Sequence, residues 1–254
     1  MYKKKKSWRI VFSILIAFLL LAAVRQKGQL YNTGEIYYIS AECEEKSESI
    51  SELSDMIPSD YDSLMIVAHP DDETIWGGAH LLEGNYVVVC ITNGNNSIRR
   101  REFENVMKET KSIGLMLNYP DKTRGKRDDW KACQGRIQED INRIIGKKKW
   151  NTIVTHNPDG EYGHIHHQMT SRIVTAVTKE QRDEDRLYYF GKYVKKKNMD
   201  QEEYAGCLTA CLSASLLEKK ISVTELYPSQ KKVMQHLGHM FPFENWIKAD
   251  AWGK

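Results

Sequence analysis

The stretch Leu64-Met65-Ile66-Val67-Ala68 followed by His69-Pro70-Asp71-Asp72-Glu73 decides how this chain is read. Five apolar residues ended by a proline read as a buried strand that stops abruptly in a loop. A parallel sheet presents its chemistry beyond the carboxyl ends of its strands, and here one imidazole and three carboxylates crowd that place. Three acids in a row repel one another unless a cation or a helix N-terminus sits among them. A second cluster, Gly160-Glu161-Tyr162-Gly163-His164-Ile165-His166-His167, follows another apolar segment, Thr152-Ile153-Val154-Thr155. His and Asp together suit zinc. A catalytic zinc typically takes three protein ligands and leaves one position for water, and a spare carboxylate beside those ligands can serve as the base. The two clusters therefore point to a metal-assisted hydrolase.

Working outward, strand and helix patterns alternate. Strands are expected at 64–68, 86–92, 152–156 and 187–190. Helices are expected at 73–82, 100–113, 131–145, 166–178 and 203–217. Such alternation predicts an α/β fold, a Rossmann-like three-layer sandwich on a mainly parallel sheet with right-handed crossovers. Residues 117–129, rich in charge and turn formers, are expected to be a long active-site loop. Asn93-Gly94-Asn95-Asn96 reads as a strand-to-helix loop. No Gly-x-Gly-x-x-Gly follows a strand, so a dinucleotide cofactor is not indicated.

The two clusters also resemble those of the PIG-L/LmbE family of zinc-dependent N-deacetylases, which remove acetyl groups from N-acetylglucosamine-type sugars and related conjugates. The resemblance runs over roughly residues 60–235. It takes in Thr74 to Gly78, Ile91-Thr92-Asn93-Gly94, the charged helix from Arg99 to Gly114, and Tyr227-Pro228-Ser229-Gln230. It implies an LmbE-like fold and one Zn2+ per chain held by His69, Asp72 and His167. It further implies Asp71 as general base, and His164 as stabiliser of the oxyanion with help from Tyr162. An arginine contacts substrate in the family's charged helix, and Arg99, Arg100 and Arg101 are the three candidates here. His166 stands where many family members have Asp, a departure that bears on hydrogen bonding to the neighbouring histidines. Glu73 is favoured in a first helical turn on electrostatic grounds alone and is read as supporting. His156 is read as either a supporting or a structural residue, and His80, His236 and His239 as structural or surface residues.

The formal charge of +3 rests on the N-terminus. Lys3, Lys4, Lys5, Lys6 and Arg9 precede any acid, and without them 32 basic residues face 34 acidic ones. A nucleic-acid partner would want a basic face on the folded part, so none is expected. Residues 10–24 are uncharged and mostly aliphatic. As a helix they span about 22 Å, against roughly 30 Å of hydrocarbon, and Trp8 with a snorkelling Arg9 extends the reach. They are expected to be an uncleaved single-pass anchor, with residues 1–9 cytoplasmic and the rest outside. Secretion after signal cleavage is the alternative. Residues 25–57 read as a polar acidic spacer with a short helix at 49–56, and residues 58–254 as the catalytic domain. Five cysteines give no disulfide framework, although Cys207 and Cys211 are expected on one helix face.

The function expected from all this is a membrane-anchored, externally facing zinc hydrolase that removes the N-acetyl group of an amino sugar in a glycan or glycolipid. The rival expectations are a catalytically silent carbohydrate-binding protein on the same fold, an amidase for a non-sugar amide, and a phosphoesterase. A phosphoesterase would want two adjacent metals and more bridging carboxylates.

Overall fold

The computed structural model of the chain describes residues 36–39, 44–47 and 55–254. The strands are β1 (Ile36–Ile39), β2 (Glu44–Ser47), β3 (Ser63–Val67), β4 (Tyr86–Thr92), β5 (Ile113–Tyr119), β6 (Lys122–Thr123), β7 (Lys126–Arg127), β8 (Thr152–Thr155), β9 (Leu187–Tyr189) and β10 (Ile247–Lys248). The helices are α1 (Asp72–Glu83), α2 (Ser97–Thr110), α3 (Gln134–Ile145), α4 (Ile165–Glu180), α5 (Ala214–Thr224) and α6 (Lys231–Leu237). Among the described residues, eight strands form one sheet in the order β10-β9-β8-β3-β4-β5-β1-β2, and β6 and β7 make a separate hairpin. The centre, β9 to β5, is parallel throughout, while β10, β1 and β2 are antiparallel.

The pleat sorts the core into two layers, because successive side chains of a strand point to opposite faces. Leu64, Ile66 and Ala68 share one cluster with Ile137, Ile141, Ile173 and Val177 of α3 and α4. Met65 and Val67 face the other way, toward Ile75, Phe103, Val106 and Val223 of α1, α2 and α5. This is the expected three-layer sandwich. The chain runs β3-β4-β5 in one direction and places β8 on the other side of β3. The junction of β3 with β8 is therefore the switch point outside whose carboxyl ends α/β sheets bind ligands.

Several expectations need correction. The helix placed at 100–113 occupies Ser97–Thr110, and the active-site loop placed at 117–129 gives up its first residues. Between them lies β5, which the sequence reading missed. Gly114 interrupts its apolar run for a tertiary reason: a Cβ there would stand 2.6 Å from Phe103 Cε1 on α2. The helix placed at 203–217 is instead a 3-10 turn, Glu202–Cys207, and then α5 from Ala214. Cys207 and Cys211 thus share no helix face, and both are free thiols. Within the stretch read as a spacer, β1 and β2 extend the sheet beyond β5. Residues 1–24, Cys43 and most of the short helix expected at 49–56 lie outside the described residues. Among those described, no helix is long and apolar enough to cross a membrane.

A buried polar knot fastens the C-terminal segment to α1. Glu244 accepts hydrogen bonds from the N–H of Ala79 (2.7 Å) and of His80 (3.2 Å), and it lies 2.5 Å from His80 Nδ1. Lys220 Nζ is 2.7 Å from Glu244 Oε1, an ion pair rather than a well-aligned hydrogen bond. Burial pushes the Glu244 carboxyl up, but Lys220 and His80 outweigh it and hold the group at about 2. Its contribution to stability is therefore complete above about pH 4.5 and lost as the pH falls toward 2. Glu244→Ala leaves the Lys220 ammonium buried without a counter-charge, and stability should drop by about 3–5 kcal/mol. Denaturant unfolding at neutral pH measures this, and an unchanged midpoint would show the pair to be dispensable.

Candidate active site

The two motif loops meet because β3 and β8 are neighbours. His69, Asp71 and Asp72 leave the end of β3, and His164 to His167 open α4 after β8. His69 Nδ1 lies 3.1 Å from Asp72 Oδ2 and 3.3 Å from His167 Nε2, which is 3.3 Å from Asp72 Oδ1. Asp72 and His167 are almost wholly buried, and His69 is partly so.

The far sides of these groups are occupied. Glu161 Oε2 is 2.5 Å from His167 Nδ1, so that nitrogen keeps its proton for the carboxylate and Nε2 presents a lone pair. The same Oε2 is 3.0 Å from His156 Nδ1, and His156 Nε2 accepts the Ala68 N–H. His156 also stacks on His167 with ring centroids 3.8 Å apart. Burial pushes the Glu161 carboxyl up, but the two imidazoles draw it down to about 2. On the outer edge of His69, Nε2 is 3.1 Å from His166 Nδ1 and 3.3 Å from Asp121 Oδ1.

Lone pairs of two imidazoles and a carboxylate thus converge on one point. An ion 2.0–2.1 Å from each donor would set tetrahedral neighbours about 3.3–3.4 Å apart, close to the separations found. The donor set fits a zinc-type ion held by His69, Asp72 and His167. Two further groups have ligand-like spacing, His69–His164–His166 and His156–Glu161–His167. The second is sealed in the core, with all three side chains inaccessible and hydrogen-bonded to one another.

Asp71 sits beside the three donors with φ 128° and ψ −31°, a conformation costly for any residue with a Cβ. It is held there from both ends. Its N–H donates to Glu73 Oε2 (3.0 Å), and its carbonyl accepts from Thr74 Oγ1 (2.8 Å) and from the N–H of Ile75 (3.0 Å). Glu73 is braced in turn by the Tyr227 hydroxyl at 2.5 Å. Arg99 Nη2 is 3.4 Å from Asp71 Oδ2, while its Nη1 donates to Glu102 (2.8 Å) and to Ser229 (3.1 Å). Burial and the neighbouring Asp72 push the Asp71 carboxyl up to about 7, against the pull of Arg99.

His164 is the N-cap of α4, and its Nδ1 accepts the N–H of His166 at 3.2 Å. The ring is therefore the Nε2–H tautomer. Burial and the nearby His167 and His69 hold it neutral, with a pKa of about 2. Tyr162 stands partly exposed, its ring 5.6 Å from that of His167. Of these groups, His69, Asp71, Asp72, Arg99, Asp121, Tyr162 and His164 line a cleft of about 270 Å³ that also takes in Asn93, Asn96, Lys122, Arg127 and Gln230.

The structure thus brings together all six residues singled out from sequence: His69, Asp71, Asp72, Tyr162, His164 and His167. Of the three arginines, it places Arg99 against Asp71, whereas Arg100 donates to the Gly94 carbonyl. Asp121, Arg127 and the bracing role of Glu161 were missed. Glu161 lay in plain view within its motif, but nothing in sequence says which histidine a glutamate will face. His80 and His239 have structural partners, as expected.

The fold and site define an α/β protein with a metal-type histidine–aspartate centre at the switch point of its sheet. Residues 64–178 match the family described as GlcNAc-PI de-N-acetylase, PIG-L. It is 32% identical over 133 residues to an uncharacterised protein of Acanthamoeba polyphaga mimivirus. That match takes in 46% of this chain and 57% of the relative, so the chain spans little more than half the relative's length. In structure it is similar to the N,N'-diacetylchitobiose deacetylase from Pyrococcus horikoshii, solved with its inhibitor MPG. The TM-score is 0.51 at 15% identity, over 76% of this chain and 81% of the other, a likeness of fold.

Proposed function

We propose that this protein is a zinc-dependent N-deacetylase that removes the acetyl group from an N-acetylated amino sugar, outside the cytoplasm and anchored by residues 10–24. The observation that carries the reading is the convergence of three metal-type donors beside the buried carboxylate of Asp71, within the stretch that matches PIG-L. A zinc-type ion held by His69, Asp72 and His167 would polarise the amide carbonyl and lower the pKa of a water.

Asp71 takes the proton of the attacking water and returns it to the departing amine nitrogen, so that acetate and a free amine leave. Arg99 and the Glu73–Tyr227 brace hold Asp71 in the strained conformation that aims it at the site. His164, neutral and protonated on Nε2, donates to the oxyanion that develops on the amide oxygen, and Tyr162 assists at the mouth of the cleft. The free amine is cationic at neutral pH, so the reaction alters the surface charge of a glycan or glycolipid.

The test is acetate release from a panel of N-acetylated sugars, polymeric and lipid-linked. Binding of these sugars without release would favour the silent carbohydrate-binding protein, and release only from simple amides would favour a non-sugar amidase.

The proposed topology has its own test. Five basic residues before Ile10 outnumber Arg25 and Lys27 after the apolar run, which sets the N-terminus inside. Protease added to intact protoplasts should digest the domain, and complete protection would place it in the cytoplasm.

A further inference from the structure

We propose that Asp121 and His166 are positioning residues that hold His69 from its outer edge, so that the loop after β5 helps to set the affinity of the metal site. The inference rests on the metal reading above. His69 shows one ring nitrogen to the site and the other to this loop and to His166 at the start of α4. Nδ1 faces Asp72 and His167, whereas Nε2 lies 3.1 Å from His166 Nδ1 and 3.3 Å from Asp121 Oδ1.

The state of His166 follows from its own surroundings. Its ring is fully buried and stacked on Trp130, with centroids 4.1 Å apart and planes 11° apart. Its Nε2 is 2.7 Å from the backbone carbonyl oxygen of Asp128. A carbonyl only accepts, so Nε2 carries the proton and Nδ1 presents a lone pair toward His69. Asp121 presents a carboxylate oxygen to the same nitrogen and is held by its ion pair with Arg127. Two acceptors therefore face His69 Nε2, which keeps its proton there and frees Nδ1 as a lone pair for the ion. The carboxylate fixes ring orientation and raises ligand basicity as well.

A second cation between His69, His164 and His166 is the competing use of these atoms. It would need His69 to give up both ring protons. It would also set an ion beside the Arg127 guanidinium, whose Nη1 lies 3.5 Å from His69 Nε2. Both requirements are costly, and the hydrogen-bonded arrangement needs neither.

Outer partners of a ligating histidine typically contribute about 10–100-fold in metal affinity. Zinc affinity of the full chain is measured by competition with a chromogenic chelator. Asp121→Ala and His166→Phe should each bind zinc about 10–100-fold more weakly. His166→Phe keeps a ring on Trp130 but removes the acceptor. Asp121→Asn and His166→Asn retain an oxygen facing His69 Nε2 and should recover most of the affinity, which a merely structural role would not predict. Unchanged affinity in the Ala and Phe variants, or an Asp121→Asn as weak as Asp121→Ala, overturns the proposal. Asp121 is partly exposed, so its variants decide the matter even where His166→Phe does not fold. His69→Ala separates this failure from that of the metal reading: if it binds zinc as well as the unaltered chain, the metal site itself is misplaced.

Discussion

His167→Ala is expected to lose the metal and, with it, nearly all deacetylation, whereas His164→Ala should keep its metal and turn over about 10²–10³-fold more slowly, the usual cost of one oxyanion donor. The two histidines are three residues apart, but the fold gives them different surroundings. His167 is sealed, bonded through Nδ1 to Glu161, and turns Nε2 to Asp72 and His69. His164 caps α4 through Nδ1 and keeps Nε2–H for the cleft. Zinc content measured beside acetate release separates the two failures, and added zinc should restore part of the activity of His167→Ala. His166 is the neighbour that could substitute as a ligand, but doing so would break its stack on Trp130 and its bond to the Asp128 carbonyl. The double variant, His166→Ala with His167→Ala, closes that route. Should His164→Ala prove to be the metal-deficient protein, the ion belongs to the His69–His164–His166 group and the proposed roles at this motif are wrong.

Asp71→Asn should retain full metal content and lose about 10²–10⁴-fold in turnover, the range set by general-base catalysis. The substitution is nearly isosteric; the Asp71 N–H and carbonyl keep their bonds to Glu73, Thr74 and Ile75, and only the ion pair with Arg99 is weakened. What changes is the capacity to take a proton. Glu73 cannot replace it. Its oxygens are engaged by Tyr227 and the Asp71 N–H, and burial pushes its carboxyl up to about 8. Near-normal acetate release by Asp71→Asn would therefore remove Asp71 as the base and point to a histidine.

The parts of this protein whose signals are local are legible in its residues alone. A short apolar run ended by His-Pro-Asp-Asp-Glu reads as a strand stopping in a loop, and the apolar runs at 86–92 and 152–156 read as strands too. The chemistry of the clusters points to a metal site, because imidazoles and carboxylates gathered at strand ends suit a cation, and the resemblance to the PIG-L/LmbE family picks out the six site residues. Tertiary structure decided the rest. β5 was hidden because Gly114, which weakens a strand pattern, is there to admit Phe103 of α2. The choice of Arg99 over Arg100 depends on which side of α2 faces Asp71. The bracing of His167 by Glu161 depends on the fold of the loop after β8, where Glu161 takes a left-handed φ of 55°. The approach of Asp121 to His69 joins residues 52 apart in the chain. Such pairings carry no periodicity and no local preference. They exist only because the sheet sets β8 beside β3 and brings the loop after β5 to the same end, and that order is settled by packing of the whole domain.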